Sequence, residues 1–419
     1  MFQIDLKSRK ALYDQIIDNL KNLVDVGVLK KGESILSIRD MAKALTVNPN
    51  IVKRAYFELD TQGYLTTEKG RDWFISSPGD TSSRSEDDNI AGLYGRIHAD
   101  LRELLGRGQQ PVDIERLLGI GESVYIQIEN LTKHFDKIRA LDKLNMGIKK
   151  GSIYGLVGTN GSGKTTVIKH IAGILEQDEG YVRIGNIPAG DALQNLVVGY
   201  MSEDFYFMPG YNMKMMRTFF RNKYKKTWDD KRYDELTALF GLDDARVLSS
   251  FSHGMQKQAG FIFAICSTPD ILLLDETIDG IDPIVRNYVF QQIIGDVADR
   301  RMTVLITSHN IRELDGICDT IGMINAGRMV LQRDLDDMKA DIHKIHVVFS
   351  RDSLTNNYPY DELDVLHMKE VGSTDMLVVR GKEEEIKAHI NKYSPLAFKL
   401  MPITLEEIFA YEREVGDDD

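Results

Sequence analysis

Residues 153–166 read Ile153-Tyr154-Gly155-Leu156-Val157-Gly158-Thr159-Asn160-Gly161-Ser162-Gly163-Lys164-Thr165-Thr166. An apolar run, a glycine-rich turn and the apolar-periodic stretch from Val167 to Leu175 predict a buried strand, a loop and a helix, in that order. Glycines let successive backbone N–H groups wrap a β-phosphate at the amino end of the helix. Lys164 then reaches the β- and γ-phosphates, and the Thr165 hydroxyl reaches Mg²⁺. A chance glycine-rich turn would not match every fixed position in this context. Gly158, Asn160, Gly161, Ser162, Gly163, Lys164, Thr165 and Thr166 are therefore the candidate residues for binding the phosphates of a nucleotide.

Working outward, Ile271-Leu272-Leu273-Leu274 is a second buried strand, and it ends in Asp275-Glu276. Asp275 at the strand tip can hold Mg²⁺, and Glu276 beside it can polarise an attacking water. An acidic pair after an apolar strand is common by itself; its place behind a complete phosphate loop makes it specific. From Val124 to about residue 335, short apolar strands alternate with helices, as in a parallel α/β domain. The segment from His343 to Arg413 mixes strand-like runs, Ile345–Phe349 and Met376–Val379, with helices, and predicts a small C-terminal α+β extension.

The whole chain has 419 residues, enough for two or three domains, and its 42% hydrophobic and 28% charged content is that of an ordinary globular protein. No apolar run approaches the ~20 residues of a membrane-spanning helix. No basic stretch leads into an apolar one after Met1, so no secretory signal is expected. Two cysteines, Cys266 and Cys318, are too few for a disulfide framework or a zinc site and fit a reducing cytoplasm. The net charge is −12, unevenly spread: residues 1–77 carry 12 Lys and Arg against 10 Asp and Glu, leaving 40 against 54 in the rest. A slightly basic head thus precedes an acidic body. Pro78–Asn89 is polar, small and aperiodic, which predicts a linker. Helical spacing at Ile97, Leu101, Leu104 and Leu105, broken by Gly106 and Gly108, predicts a helical hairpin over 90–119.

Periodicity in the head predicts three helices. Their stripes are Tyr13, Ile16, Ile17, Leu20, Leu23 and Val24; then Ile38, Met41, Ala42 and Leu45; then Val52, Ala55, Tyr56 and Leu59. Ser37 with Asp40 caps the second helix, and Asn48 before Pro49 caps the third. Strand-like pieces Tyr64–Thr67 and Trp73–Ser76 flank Glu68-Lys69-Gly70-Arg71, a candidate wing. In this reading Asn50, Lys53 and Arg54 project outward where a major groove would be read, while Arg39, Lys69 and Arg71 face phosphates. A net +2 is feeble for a nucleic-acid binder, and charge alone equally fits a small three-helix interaction domain.

Leu36-Ser37-Ile38-Arg39-Asp40-Met41-Ala42, Val47-Asn48-Pro49-Asn50-Ile51-Val52-Lys53-Arg54-Ala55-Tyr56, Leu59 and Gly63-Tyr64-Leu65 together resemble the GntR family of bacterial transcription regulators, over residues 8–77. The resemblance implies a winged helix-turn-helix that binds double-stranded operator DNA, with Ser37, Arg39, Asn48, Asn50, Lys53, Arg54, Lys69 and Arg71 as its contacts. It is closest to the small subclass that dimerises through a short helical extension. One departure falls in the wing, where Asp72-Trp73-Phe74 follows Gly70-Arg71 in place of the family's usual Gly-Thr-Phe.

Phe251-Ser252-His253-Gly254-Met255-Gln256-Lys257-Gln258, Asp279-Gly280-Ile281-Asp282 and Ser308-His309-Asn310, around the phosphate loop and acidic pair, resemble the nucleotide-binding subunits of ABC transporters, over residues 124–335. By that resemblance Phe135 stacks on adenine, Glu203 sits at the usual glutamine of the Q-loop, Ser252, Gly254 and Met255 belong to the signature motif, Asp282 to the D-loop, and His309 is the switch histidine. Met201–Tyr206 and Thr404–Phe409 look most like ATPases of ABC-2 type exporters. His253 in place of the first signature glycine, and Glu203 in place of glutamine, point to slow turnover.

These readings predict a multidomain protein. A winged helix occupies 1–77, a linker and hairpin 78–122, a P-loop α/β ABC ATPase domain with a helical subdomain 123–335, and an α+β accessory region 336–419. The implied protein is a cytoplasmic homodimer sandwiching two Mg-ATP, with Glu276, His309 and Lys164 catalytic. As an exporter subunit it would sit at the inner face of the membrane on a separate permease and also regulate transcription. As a soluble regulator it would use ATP to control the dimer and have no transport role.

Overall fold

The computed structural model describes all residues except 1, 6, 7, 9, 69–71, 77–123, 204–205, 350–359, 402 and 417–419. The predicted linker and helical hairpin, together with Lys69 and Arg71, lie outside the described residues.

In the head, helix α1 (Leu12–Asp25), strand β1 (Ser34–Ile35), helices α2 (Ile38–Leu45) and α3 (Pro49–Thr61) and strands β2 (Leu65–Glu68) and β3 (Asp72–Ile75) follow in order. The strands form an antiparallel sheet in the order β1-β3-β2. Ser37 Oγ accepts the Asp40 N–H and donates back to its carboxylate, so α2 starts where expected. Asn48 Oδ1 accepts the Asn50 N–H at 2.8 Å, and Pro49 takes the first turn of α3. The predicted stripes bury Ile16, Leu20, Ala42, Val52, Ala55, Tyr56 and Leu59. Trp73, at the departure in the wing, is buried edge-on against Tyr56 and Phe57 at 5.3 and 5.7 Å. It fills the helix–wing seam while the neighbouring Asp72 stays exposed.

The body is layered. Strands β4 (Val124–Phe135), β5 (Ile138–Lys149), β7 (Glu179–Ile184) and β8 (Ile187–Pro188) form an antiparallel sheet in the order β5-β4-β7-β8. Strands β6 (Ile153–Val157), β9 (Val198–Met201), β10 (Ile271–Asp275), β11 (Thr303–Ser308), β12 (Thr320–Asn325) and β13 (Arg328–Asp334) form the central sheet, ordered β13-β12-β6-β11-β10-β9. All its neighbours run parallel except β12–β13. Every residue of β6, β10 and β11 is buried, as continuous apolar runs require in a sheet covered on both faces. The helices Met213–Lys223, Asp230–Leu239 and His253–Cys266 form the helical subdomain, where Phe263 stacks on Phe220 at 5.1 Å and on Tyr233 at 6.1 Å. At the carboxyl end, β14 (Ile342–Val348), β15 (Asp364–Val371), β16 (Thr374–Arg380) and β17 (Ala397–Met401) make an antiparallel sheet ordered β15-β16-β14-β17. Helices Leu335–Asp341, Glu383–Asn391 and Leu405–Gly416 flank it.

The head lies against the body. Helices α2 and α3 pack on the helix Pro283–Arg300 and on the edge of the central sheet where β6 and β12 begin. At that edge Asp319 is half-buried. Burial pushes its carboxyl up to about 7, against the Ile153 N–H and the Asn50 and Asn48 side chains, which favour the charged form. The sign follows from linkage. Between about pH 4 and 7 the unfolded chain has released this proton and the folded chain retains it, so stability present below about 4 is lost as pH rises through 7. Burial also raises Asp334, and raises Asp336 to about 6, so the whole edge shares the trend. Asp319→Asn should remove about 2 kcal/mol of the wild-type loss between pH 5 and 7, read as the difference of the two denaturation curves; parallel pH profiles would count against a proton-retaining Asp319.

Candidate functional site

The parallel register decides which side chains meet. Asp275 pairs with Thr307, and Ser308 with Val157, so β6, β10 and β11 deliver the phosphate loop, the acidic pair and His309 to one carboxyl-terminal edge. Between β6 and the helix Lys164–Ile171, residues 158–163 form the loop. A Cβ on Gly158 would lie 2.5 Å from both Ile324 O and Ser162 Oγ. Gly163 has φ +112, and a Cβ there would meet Ala140 O at 2.9 Å. Both positions require glycine for backbone reasons.

Lys164, only 3% exposed, donates to Gly158 O at 2.8 Å and Thr159 O at 3.1 Å, and its ammonium lies 2.9 Å from Glu276 Oε1. The buried Ser162 Oγ has no partner among the described residues, which suits a hydroxyl lining a phosphate cradle. Asp275 Oδ1 accepts from Thr165 Oγ1 at 3.2 Å and from Thr307 Oγ1 at 2.7 Å, while its buried Oδ2 has no partner among the described residues. Burial raises the Asp275 carboxyl against those two hydroxyls. Thr165 and Asp275 thus offer the hard oxygen donors that Mg²⁺ prefers, and the orphaned Oδ2 fits that ion.

Glu276 takes a left-handed backbone, φ 50, fixed by its N–H donating to Thr307 Oγ1 at 3.0 Å. Burial would raise its carboxyl, but Lys164 and His309 outweigh that and hold it below the usual range. His309 Nδ1 is 2.8 Å from Asp279 Oδ2 and 3.4 Å from Glu276 Oε2. Asp279 also accepts from Ser308 Oγ, and buried Lys257 donates to the carbonyls of Glu276 and Asp279 at 3.3 and 2.7 Å. Asp279, Thr307 and Lys257 were not among the predicted site residues. Lys257 stands between Gln256 and Gln258, ahead of the apolar run Ala259–Cys266, so its sequence context does not set it apart.

Other predicted residues are placed separately. Phe135 ends β4 with an exposed ring, Lys133 Nζ 5.9 Å from its centroid. Glu203 is exposed just beyond β9 and, among the described residues, makes no hydrogen bond or ion pair with Lys164 or Asp275. Ser252 caps the His253–Cys266 helix through the Met255 N–H, and the corner Ser252–Met255, exposed at Ser252 and His253, makes no hydrogen bond to the phosphate loop among the described residues. Asp282 caps Pro283–Arg300. The C-terminal helix closes one side of the site. Glu406, Phe409 and Ala410 line a cavity of about 440 Å³ with Gly158, Asn160 and His309.

The DNA-reading face departs from its expected placement. Asn50 turns to the body, and Arg39 and Arg54, with about half of each side chain exposed, are paired with its carboxylates. Arg39 pairs with Asp299 at 3.1 Å and Arg54 with Asp337 at 3.0 Å. Asn50 Nδ2 donates to Asp319 Oδ1 and Gly151 O at 3.1 and 3.2 Å. Asn48, 0% exposed, donates through its side chain to Ile317 O and through its backbone to Gly316 O. Carboxylates and strand-end carbonyls capture these donors because the body is acidic just where α3 meets it. Lys53 remains exposed, beside a cavity of about 360 Å³.

Fold and site define a P-loop nucleotide-binding ATPase joined to a winged helix. The family described as "ABC transporter" matches residues 141–279, and "Bacterial regulatory proteins, gntR family" matches residues 12–75. The chain is 29% identical over 287 residues to the "ABC transporter ATP-binding protein YtrB" of Bacillus subtilis (strain 168), covering 68% of this chain and 96% of that protein. It is 30% identical over 247 residues to the "Bacitracin transport ATP-binding protein BcrA" of Enterococcus faecalis (57% and 74%). It is 32% identical over 225 residues to the "Daunorubicin/doxorubicin resistance ATP-binding protein DrrA" of Streptomyces peucetius (52% and 67%). A solved ATP-binding subunit of an ABC transporter aligns at 21% identity and TM-score 0.46 over 51% of this chain and 92% of its own. The chain belongs to the ATP-binding proteins of the ABC transporter family and carries a gntR-family regulatory domain at its amino end.

Proposed function

We propose that this chain is the ATPase subunit of an ABC-2 type exporter whose head also regulates transcription. The observation that carries it is the single edge where Lys164, Asp275, Glu276 and His309 converge within a few ångströms behind a glycine-locked loop. The names of relatives such as BcrA and DrrA support an export role. The division into head 1–77, ATPase 123–335 and accessory region 336–419 belongs to the same reading.

ATP binding begins with the backbone N–H groups of Gly161–Thr165 and the amino end of their helix taking the β-phosphate. Lys164 then exchanges Gly158 O and Thr159 O for phosphate oxygens, which also frees Glu276. Thr165 and Asp275 would hold Mg²⁺, which would neutralise charge at the phosphates. Glu276, kept ionised, accepts a proton from the attacking water. Asp279 orients His309 through Nδ1 and leaves Nε2 for the γ-phosphate. Phe135 stacks on adenine. Ser252, Gly254, Met255 and Asp282, remote from this loop, face the second site of a homodimer, and Glu203 lies toward the helical subdomain that meets a permease. His253 crowds the partner's γ-phosphate and slows turnover.

No helix among the described residues is long and apolar enough to cross a membrane, and the export reading places the membrane passage in a separate permease. The docked head supports a second reading, a regulator that uses ATP without transport. Affinity purification of the tagged full chain from its native cells separates them. Recovery with an integral membrane protein, and ATP turnover that rises with it, is the expected result; a preparation free of membrane protein in mild detergent would favour the regulator.

A further inference from the structure

We propose that the amino-terminal edge of the ATPase sheet is a docking surface for the DNA-reading face of the head and competes with duplex DNA for the same side chains. The proposal rests on the head being a DNA reader, as its gntR-family domain implies. Four of the residues assigned to DNA, Arg39, Asn48, Asn50 and Arg54, are held by acceptors of the body. Carboxylates of Asp299 and Asp337 occupy guanidinium positions that phosphates would take, and Asp319 and strand-end carbonyls stand where base-edge and backbone acceptors would be.

Geometry makes the two states exclusive. A major groove takes the first residues of a recognition helix, and here that turn is pressed onto the sheet with Asn48 sealed from solvent. The pairs Arg39–Asp299 and Arg54–Asp337 are about half exposed and screened by salt, so they steer more than they hold. The Asn48–Asn50–Asp319 cluster, in which Asn48 is buried and the other two are half-buried, and the shared apolar core supply the hold. Nucleotide reaches the opposite, carboxyl-terminal edge, so ATP and the docked head do not collide.

The test uses the full chain with Asp299→Lys and Asp337→Lys, which lie outside the nucleotide site and the reading set. Docking is read with Gly295→Cys in both backgrounds. Gly295 is buried on the Pro283–Arg300 helix, and a Cβ there would meet Lys43 Cε and Nζ of the head at 2.8 and 2.9 Å, while Cys266 and Cys318 are buried. Maleimide labelling at position 295 and the dissociation constant for a duplex enriched from a random pool are measured together. The expected result is labelling at least tenfold faster and duplex binding at least tenfold tighter in the reversed background, with Arg54→Ala weakening the latter. Unchanged labelling overturns the docking surface. Faster labelling with equal duplex affinity overturns the competition alone. Faster labelling with no duplex bound in either background overturns it together with the DNA-reading assignment.

Discussion

Glu276→Gln is expected to bind ATP at least as tightly as wild type and hydrolyse it about 10²–10⁴-fold more slowly, the range for removing a positioned base. Among the described residues the carboxylate contacts Lys164 and His309, while Thr307 holds only the Glu276 backbone N–H. Glutamine keeps the shape and hydrogen-bonding reach but cannot take a proton. It also loosens the hold on Lys164 in the nucleotide-free protein, so affinity has no reason to fall. Equilibrium nucleotide binding and phosphate release measured on one preparation decide the matter. Turnover within threefold of wild type would move the base elsewhere.

Lys164→Ala is expected to weaken ATP binding by roughly a hundredfold or more. Two charge-assisted contacts at about 1.5–3 kcal/mol each already account for that. The loss is deepened by what stays behind: Asp275 and Glu276 would face the phosphates without the ammonium that now sits 2.9 Å from Glu276. Folding should survive, because Gly158 O and Thr159 O can turn to water at the mouth of the loop. Equal nucleotide affinity in variant and wild type would remove Lys164 from the phosphate site.

The nucleotide site was legible because its chemistry is local. Gly158–Thr166 must supply consecutive N–H groups at fixed spacing, and Asp275-Glu276 must end a buried strand; both demands are written in short windows. The head's helices were legible for the same reason, through Ser37 and Asn48 as caps and stripes such as Val52-Ala55-Tyr56-Leu59. What meets those helices was not. Asn48 finds Ile317 across 269 positions and Arg54 finds Asp337 across 283, and no periodicity encodes a partner so distant. The acidic residues of 315–337 contributed only to a net charge. Lys257 and Thr307 escaped because each supports a neighbour rather than displaying a motif of its own. The aromatic stack around Phe263 likewise needed three helices in place before it had meaning.

The burial of Asn48 bears on how a measured operator affinity should be interpreted. Only the fraction of chains with α3 released can enter a groove, so apparent affinity is the intrinsic value multiplied by that fraction. A preference of about 1.4 kcal/mol for the packed arrangement lowers it tenfold, and each further 1.4 kcal/mol another tenfold. The chain concentration needed to fill an operator is then set at a strand edge that never approaches DNA. Genetic screens for tighter repression or activation would return substitutions at Asp319, Asp337 or Gly151 before any in the base-reading set.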